Sequence, residues 1–457
     1  MRVILLSLAL AMFCVWTADA QDEAVALEGN WPQFRGPGGN GVANAELPLI
    51  WSTTENIAWV SDIPGRGWSS PIVWASRVFV TSGLEPEIPS RGFAGLGGDD
   101  IPREDMLLPE DFSEPVRYML YCLDVETGQT LWSREAHRGV PLAPIHVKNS
   151  LATETPATDG ERVYAYFGAV GLFAYSLDGE LLWKHAVTAR KMYYDVGPGS
   201  SPVVADGRVY LLRDSDEESF LIALDAETGE ELWRVHRRQS HPETGSSWMT
   251  PLYWENSARA EIVTTTAGII ASYATDGTEL WRIENAIRDT VASPVAFGDV
   301  AYIPVGSVWE NDRPVYAVRA GASGDISSEK VTGSDAFVRW RQRIGASYLP
   351  SPLVYRGNIY VVGDRGILAV YDALTGERRH RARIGDGTGF SSSPWANRGK
   401  VFLLGEEGDT FVIEAGGELE ILATNSLDEH TQANAAVAHN SLFIRTATRL
   451  YRIQEKL

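Results

Sequence analysis

Short apolar runs broken by turn formers fill this chain from about residue 56 to its end. RVYLL (208–212) and NIYVV (358–362) are representative: β-branched and aromatic, with Gly, Asp or Asn at their borders. Such runs read as strands. Amphipathic helical stretches are hard to find outside the first residues. The runs also recur in a fixed order. A Ser/Thr-Pro step opens an apolar run seven times, as SSPIV (69–73), TPAT (155–158), SSPVV (200–204), TPLYW (250–254), SPVAF (293–297), PSPLV (350–354) and SSSPW (391–395). NAAV (434–437) is a weaker eighth copy. Repetition at a period of roughly 40–50 residues predicts a radial or linear array of one supersecondary unit.

Each unit has a second half. LDVETGQTLW (123–132) and LDAETGEELW (224–233) are near copies, and LDGELLW (177–183) and TDGTELW (275–281) are shortened versions. YDALTGERRH (371–380) keeps the turn and loses the tryptophan. The D-x-x-T-G element predicts a tight connection between two strands. Asp124, Asp225 and Asp372 can accept backbone N–H groups two residues on, and Gly128, Gly229 and Gly376 supply positive φ.

The step residues Pro71, Pro156, Pro202, Pro251, Pro294, Pro352, Pro394 and, by alignment, Ala435 count eight units. The last unit has inner strands 435–439, 441–445 and 449–453 and then runs out before an outer strand. NIAWV (56–60) precedes the first step, with Trp59 where an outer-strand tryptophan belongs. An N-terminal strand that completes the last unit closes a ring and removes open edges. The fold expected is therefore all-β: an eight-bladed β-propeller of four-stranded blades, closed by an N-terminal strand. It would occupy residues 51–457 after an extended segment at 21–50, with insertions at 84–117 and 319–336.

Composition adds the compartment. Arg2, an apolar stretch over 3–16 and Ala18-Asp19-Ala20 form a signal-peptide pattern, so residues 1–20 are expected to be removed near Ala20. Phe13 before Cys14 suits a lipoprotein cleavage site poorly, which favours a soluble exported protein, periplasmic or secreted. No other run is long enough to span a membrane. Cys122 then stands alone, and a fold of this size needs no disulfide. The formal net charge of −20 argues against nucleic acid as a partner.

The D-x-x-T-G-x-x-L-W cassette with its Ser-Pro steps resembles the pyrroloquinoline quinone (PQQ)-type repeat over about residues 50–455. That family includes quinoprotein alcohol dehydrogenases and BamB-like proteins of outer-membrane assembly. The resemblance implies that Trp59, Trp132, Trp183, Trp233, Trp281 and Trp340 dock against the neighbouring blade. The segment WPQFRGPGGNGV (31–42) is similar to a leader-proximal motif of exported PQQ-like proteins and reads as an ordered extended strip. Quinoprotein dehydrogenases typically carry adjacent cysteines and a calcium held by oxygens. This chain has no Cys-Cys, so no cofactor is expected, with PQQ and calcium as the alternative.

A site on a propeller belongs at the channel mouth, beside the step residues. The candidates there are Trp68, Ser69, Ser70, Glu154, Thr155, Asp195, Trp248, Met249, Ser392 and Asn434. Trp68 and Trp248 share one repeat position, three before the proline, and could stack a planar ligand or a peptide. The alternative is that the hydroxyls satisfy strand-start backbone and the indoles cover the mouth. Arg66 and Glu154 could pair across the ring; His146, His241 and Glu243 are thinner candidates. No nucleophile–base motif is present, and no metal-ligand spacing. These features predict a monomeric, non-catalytic scaffold for a protein or glycan partner in the cell envelope. The alternative is a quinoprotein oxidoreductase acting on alcohols or sugars.

Overall fold

A computed structural model describes residues 29–456 except 85–113, 144, 147, 189–191, 193–195, 238–244, 287–289, 307–311, 328–335, 344–346 and 386–388. Eight sheets, each built on four antiparallel strands, follow one another around a ring, as the repeat count predicts. Blades 1 to 7 comprise residues 72–139, 157–186, 203–236, 252–284, 295–342, 353–383 and 395–426. Blade 8 takes its first three strands from 436–453 and its outer strand, Ile57–Asp62, from the other end of the chain. Ile57 faces Ile453 and Asp62 faces Arg449, so the ring is closed by backbone pairing. The expected signal segment 1–20 lies outside the described residues, as does most of the first insertion. Among the described residues no helix is long and apolar enough to cross a membrane.

The turn chemistry explains how the blades lock together. Asp124 accepts the N–H groups of Glu126 and Thr127 at 3.1 and 2.8 Å, and Asp225 and Asp372 repeat the pattern. Gly128, Gly229 and Gly376 have φ of 70°, 73° and 72°. They do a second job, because each turn is the seat for an indole of the preceding blade. A Cβ on Gly128 would stand 2.6 Å from the Trp59 ring, one on Gly229 2.5 Å from Trp183, and one on Gly376 2.6 Å from Trp340. The indole N–H groups of Trp59, Trp132, Trp183, Trp233 and Trp340 donate to turn carbonyls of the next blade: Val125, Leu177, Ala226, Thr275 and Ala373. Large apolar rings with one polar handle are thereby buried with the handle satisfied.

Trp281 departs from the expectation. Its N–H donates at 2.7 Å to Glu261 in its own blade. Blade 5 lacks the D-x-x-T-G turn that would receive it. The chain there runs on through Ala322 and Ile326, which pack on Trp281, and Gly324–Asp325 adds a fifth, parallel strand to the outer edge of blade 4.

The inner strands are joined by a girdle of eight hydrogen bonds. At each step a backbone N–H donates to a side-chain oxygen one blade on. Ser70 donates to Thr155, Thr155 to Ser201, Ser201 to Thr250, Thr250 to Ser293, and Ser293 to Ser351. Ser351 then donates to Ser393, Ser393 to Asn434, and Asn434 back to Ser70. Just inside the girdle lies the strip over 31–43. Trp31 exchanges both backbone bonds with Val73, Pro32 accepts from Thr158, Arg35 donates to Pro352 O at 2.8 Å, and Val42–Ala43 pairs parallel with Trp395–Asn397. The strip thus bonds to blades 1, 2, 6 and 7 and faces blades 3 to 5 across a small cavity lined by Gln33, Phe34, Pro202, Thr250 and Pro294.

Two measurements check these contacts. Gly229→Ala should lower the denaturation midpoint far more than Gly207→Ala. Both have positive φ, which costs an alanine about 1–2 kcal/mol. A Cβ at Gly207, however, meets nothing within 4 Å. Equal losses would remove the indole seat from the account. Thr250→Val leaves the buried Ser201 N–H without its acceptor and should cost about 1–3 kcal/mol. Thr250→Ser should recover most of that in the same urea titration.

Candidate functional site

The girdle decides what several candidate residues do. Ser70, Thr155 and Asn434 are links in it, so their side-chain oxygens are already engaged with backbone. Ser69 accepts from Arg445 Nη1 at 2.6 Å and donates to Thr81 O. Met249 is wholly buried in the core between blades 3 and 4. Ser392 is buried, with no hydrogen-bond partner for its Oγ among the described residues. Asp195, His241 and Glu243 lie outside the described residues.

The two indoles are covered. Trp68 is 5% exposed and Trp248 8%. Trp68 Nε1 donates to Lys148 O at 2.8 Å, and Trp248 Nε1 to Gly197 O at 2.7 Å. Each tryptophan thus fastens a connecting segment of a neighbouring blade over the mouth. Trp68 also meets the His430 ring edge-on at 5.5 Å, with the Arg66 guanidinium 5.8 Å from its own ring. Arg66 is therefore beside Trp68 instead of reaching across to Glu154. Glu154 turns the other way, accepting Gly168 N–H at 2.9 Å near Arg213. Burial pushes its carboxyl up to about 7, which leaves it partly protonated at neutral pH.

The strongest cluster was not singled out by any motif. Lys148 Nζ reaches Glu406 at 3.0 Å, joining the segment before blade 2 to blade 7, and both side chains are nearly inaccessible. Ser391 Oγ donates to the other oxygen of Glu406 at 2.5 Å. His146 donates no charge to this group. Burial first, then Lys148 and Arg66, hold its pKa down at about 4, so it is a neutral imidazole. Burial likewise lowers His430.

Glu406 has relatives in the fold. Asp214, Asp364 and Glu406 each stand twelve residues past a step proline, namely Pro202, Pro352 and Pro394. Each is buried or nearly so, and each meets a cation. Arg237 holds Asp214 through both oxygens at 2.6 and 2.5 Å, and Arg313 lies 3.5 Å from Asp364. Desolvation raises the carboxyl pKa of Asp214 and of Asp364 against those partners. In blade 8 the corresponding region carries Arg445. It is 1% exposed, has no acidic partner among the described residues, and is pushed down to about 9 by burial. Registering the repeats on the step proline would have exposed this row of carboxylates; only their pairing needed coordinates.

A quinone held over a calcium ion requires a flat open platform and several convergent oxygen ligands. The described side chains do not supply that. Trp68 and Trp248 are covered, and no three His, Cys, Asp or Glu side chains among the described residues are placed to hold a metal. Cys122 is buried in the sheet of blade 1, its thiol pushed up to about 12 by desolvation. What the mouth can offer is a rigid polar surface.

Comparisons with known proteins agree with the architecture. The solved structure of a europium-containing methanol dehydrogenase is similar at a TM-score of 0.62, with 11% identity over 91% of this chain and 89% of that one. The quinohemoprotein alcohol dehydrogenase from Comamonas testosteroni gives 0.63, with 11% identity over 96% and 83%. At such identity the likeness is one of fold. No curated protein sequence matches the chain. A family model described as outer membrane protein assembly factor BamB matches residues 117–324 and 266–442, which together take in most of the chain. This protein therefore belongs to the PQQ-type, BamB-like repeat propeller family.

Proposed function

We propose that this chain is an exported, non-catalytic propeller that serves as a rigid binding scaffold for a protein or glycan partner in the cell envelope. One observation supports the reading: the chain's own residues 31–43 run along the inner strands, and the buried Lys148–Glu406 pair ties the segment before blade 2 to blade 7, which leaves the two candidate indoles covered and the mouth rigid. A partner is then met by the faces and the rim, where propellers and other sheet proteins bind extended segments. Family membership is compatible with this, since fold does not decide function. The signal-peptide pattern at residues 1–20 supports export.

The rival is a quinoprotein oxidoreductase. It is favoured only by the fold shared with the two dehydrogenases, and it would need the strip and the covered indoles to move. Titrating the full chain with PQQ and Ca²⁺ separates the two. The scaffold reading expects an absorption spectrum equal to the sum of the components and no dye-linked oxidation of alcohols or sugars. A stoichiometric bound chromophore with turnover would overturn it.

A further inference from the structure

The outer strands of blades 1, 3 and 4 carry charges of both signs. In blade 4 the strand Glu279–Glu284 reads ELWRIE, and Arg282 bonds Glu279 at 3.0 Å and Glu284 at 2.9 Å. In blade 6 the strand Arg378–Arg383 reads RRHRAR. Register the two on their turn glycines, Gly277 and Gly376. Arg381 then occupies the position of Arg282, five residues past the glycine. The two acids that balance Arg282 are replaced by Arg378 and Arg383. Arg378, Arg381 and Arg383 are all exposed, and the neighbouring outer strand Val338–Gln342 adds Arg339, its Arg341 being paired with Asp312 at 2.8 Å. In a chain of net charge −20 this is a concentrated cationic rim.

The same molecule contains the occupied form of such an edge. Gly324–Asp325 runs parallel beside Glu279–Glu284, with Asp325 opposite Arg282 and its carboxylate 3.5 Å from the guanidinium. Ile326 N–H donates to Arg282 O at 3.0 Å, and Glu284 N–H donates to Ser327 Oγ at 2.7 Å. That added segment is short and presents one acid to the edge arginine. Blade 6 has the same kind of edge, and among the described residues its sheet ends at Arg378–Arg383 with no fifth strand. Edge arginines also discourage indiscriminate strand pairing. That role alone does not require removing both acids that neutralise the central arginine.

We propose that the open edge of blade 6 at residues 378–383 is the docking site for an extended acidic segment of a partner protein. The segment adds as a parallel fifth strand, as Gly324–Asp325 does on blade 4. Side chains on one face of a strand repeat every two residues, about 6.6 Å. Opposite residues on paired strands lie about 5 Å apart. Acids at alternate positions therefore meet Arg381 and Arg383, and arginine's planar fork suits a carboxylate. This inference rests on the scaffold reading above and names the partner's chemistry.

The test uses the full chain and a fluorescein-labelled octapeptide alternating Glu and Thr, followed by fluorescence anisotropy. Saturable binding is expected, weakened at least tenfold in Arg381→Glu and several-fold in the milder Arg381→Gln, with thermal melts unchanged. A peptide N-methylated at alternate backbone nitrogens should also lose at least tenfold, because strand addition needs those donors. Amide exchange over 378–383 should slow on binding. Absence of binding, equal binding of the N-methylated peptide, or preference for a sulfated oligosaccharide would each overturn the proposal. The scaffold reading would survive any of these, since it falls only to a bound, turning-over quinone.

Discussion

Every blade of this propeller begins with an N–H that has no sheet partner, because the chain is arriving from the blade before. The girdle satisfies all eight with one device: a short side chain, Ser, Thr or Asn, on the step of the next blade. A buried unpaired amide costs about as much as a lost hydrogen bond or more, so the device recurs at each step. Eight equal links must close on themselves, and closure puts Asn434 against Ser70. The proline that follows fixes φ and needs no hydrogen-bond acceptor, which suits a residue that faces the axis.

Outside the girdle the same economy holds at the perimeter. One turn glycine provides both the left-handed backbone of a hairpin and the flat surface on which the neighbouring indole rests. Where the turn is missing the solution changes locally. Trp281 finds Glu261, and an inserted segment covers it. In blade 6, His380 takes the tryptophan's place, half-buried, and the strand around it is free to carry arginines. The first departure is buried and the second lies at the surface, and neither interrupts the ring.

The axial face is where charge is buried. Lys148 with Glu406 and Arg237 with Asp214 are pairs taken out of water, and Arg35 and Arg445 are buried without an acid among the described residues. Buried charges are expensive unless paired or hydrogen-bonded. Arg445 meets part of that cost by donating to Ser69 and to Thr81 O, and Arg35 by donating to Pro352 O. Both arginines tie distant parts of the ring together, so their cost is spent on closure.

Much of this was legible from residue order. The step, the D-x-x-T-G turn and the tryptophan are local patterns with local physical causes, and their count and the stray strand at 56–60 imply eight blades and a closed ring. Trp59, Trp132, Trp183, Trp233 and Trp340 follow because an indole beside such a turn has one place to go. Other facts were decided only in three dimensions. Lys148 and Glu406 are 258 residues apart, and nothing near either predicts that they meet. Trp68 and Trp248 carry a repeat position but not an exposure, and their neighbours' connecting segments cover them. Local sequence dictates each blade because a blade's own hydrogen bonds and turns are short-range. Which side chains converge on the axis depends on the angle at which the eighth blade meets the first, and that angle is a property of the closed ring alone.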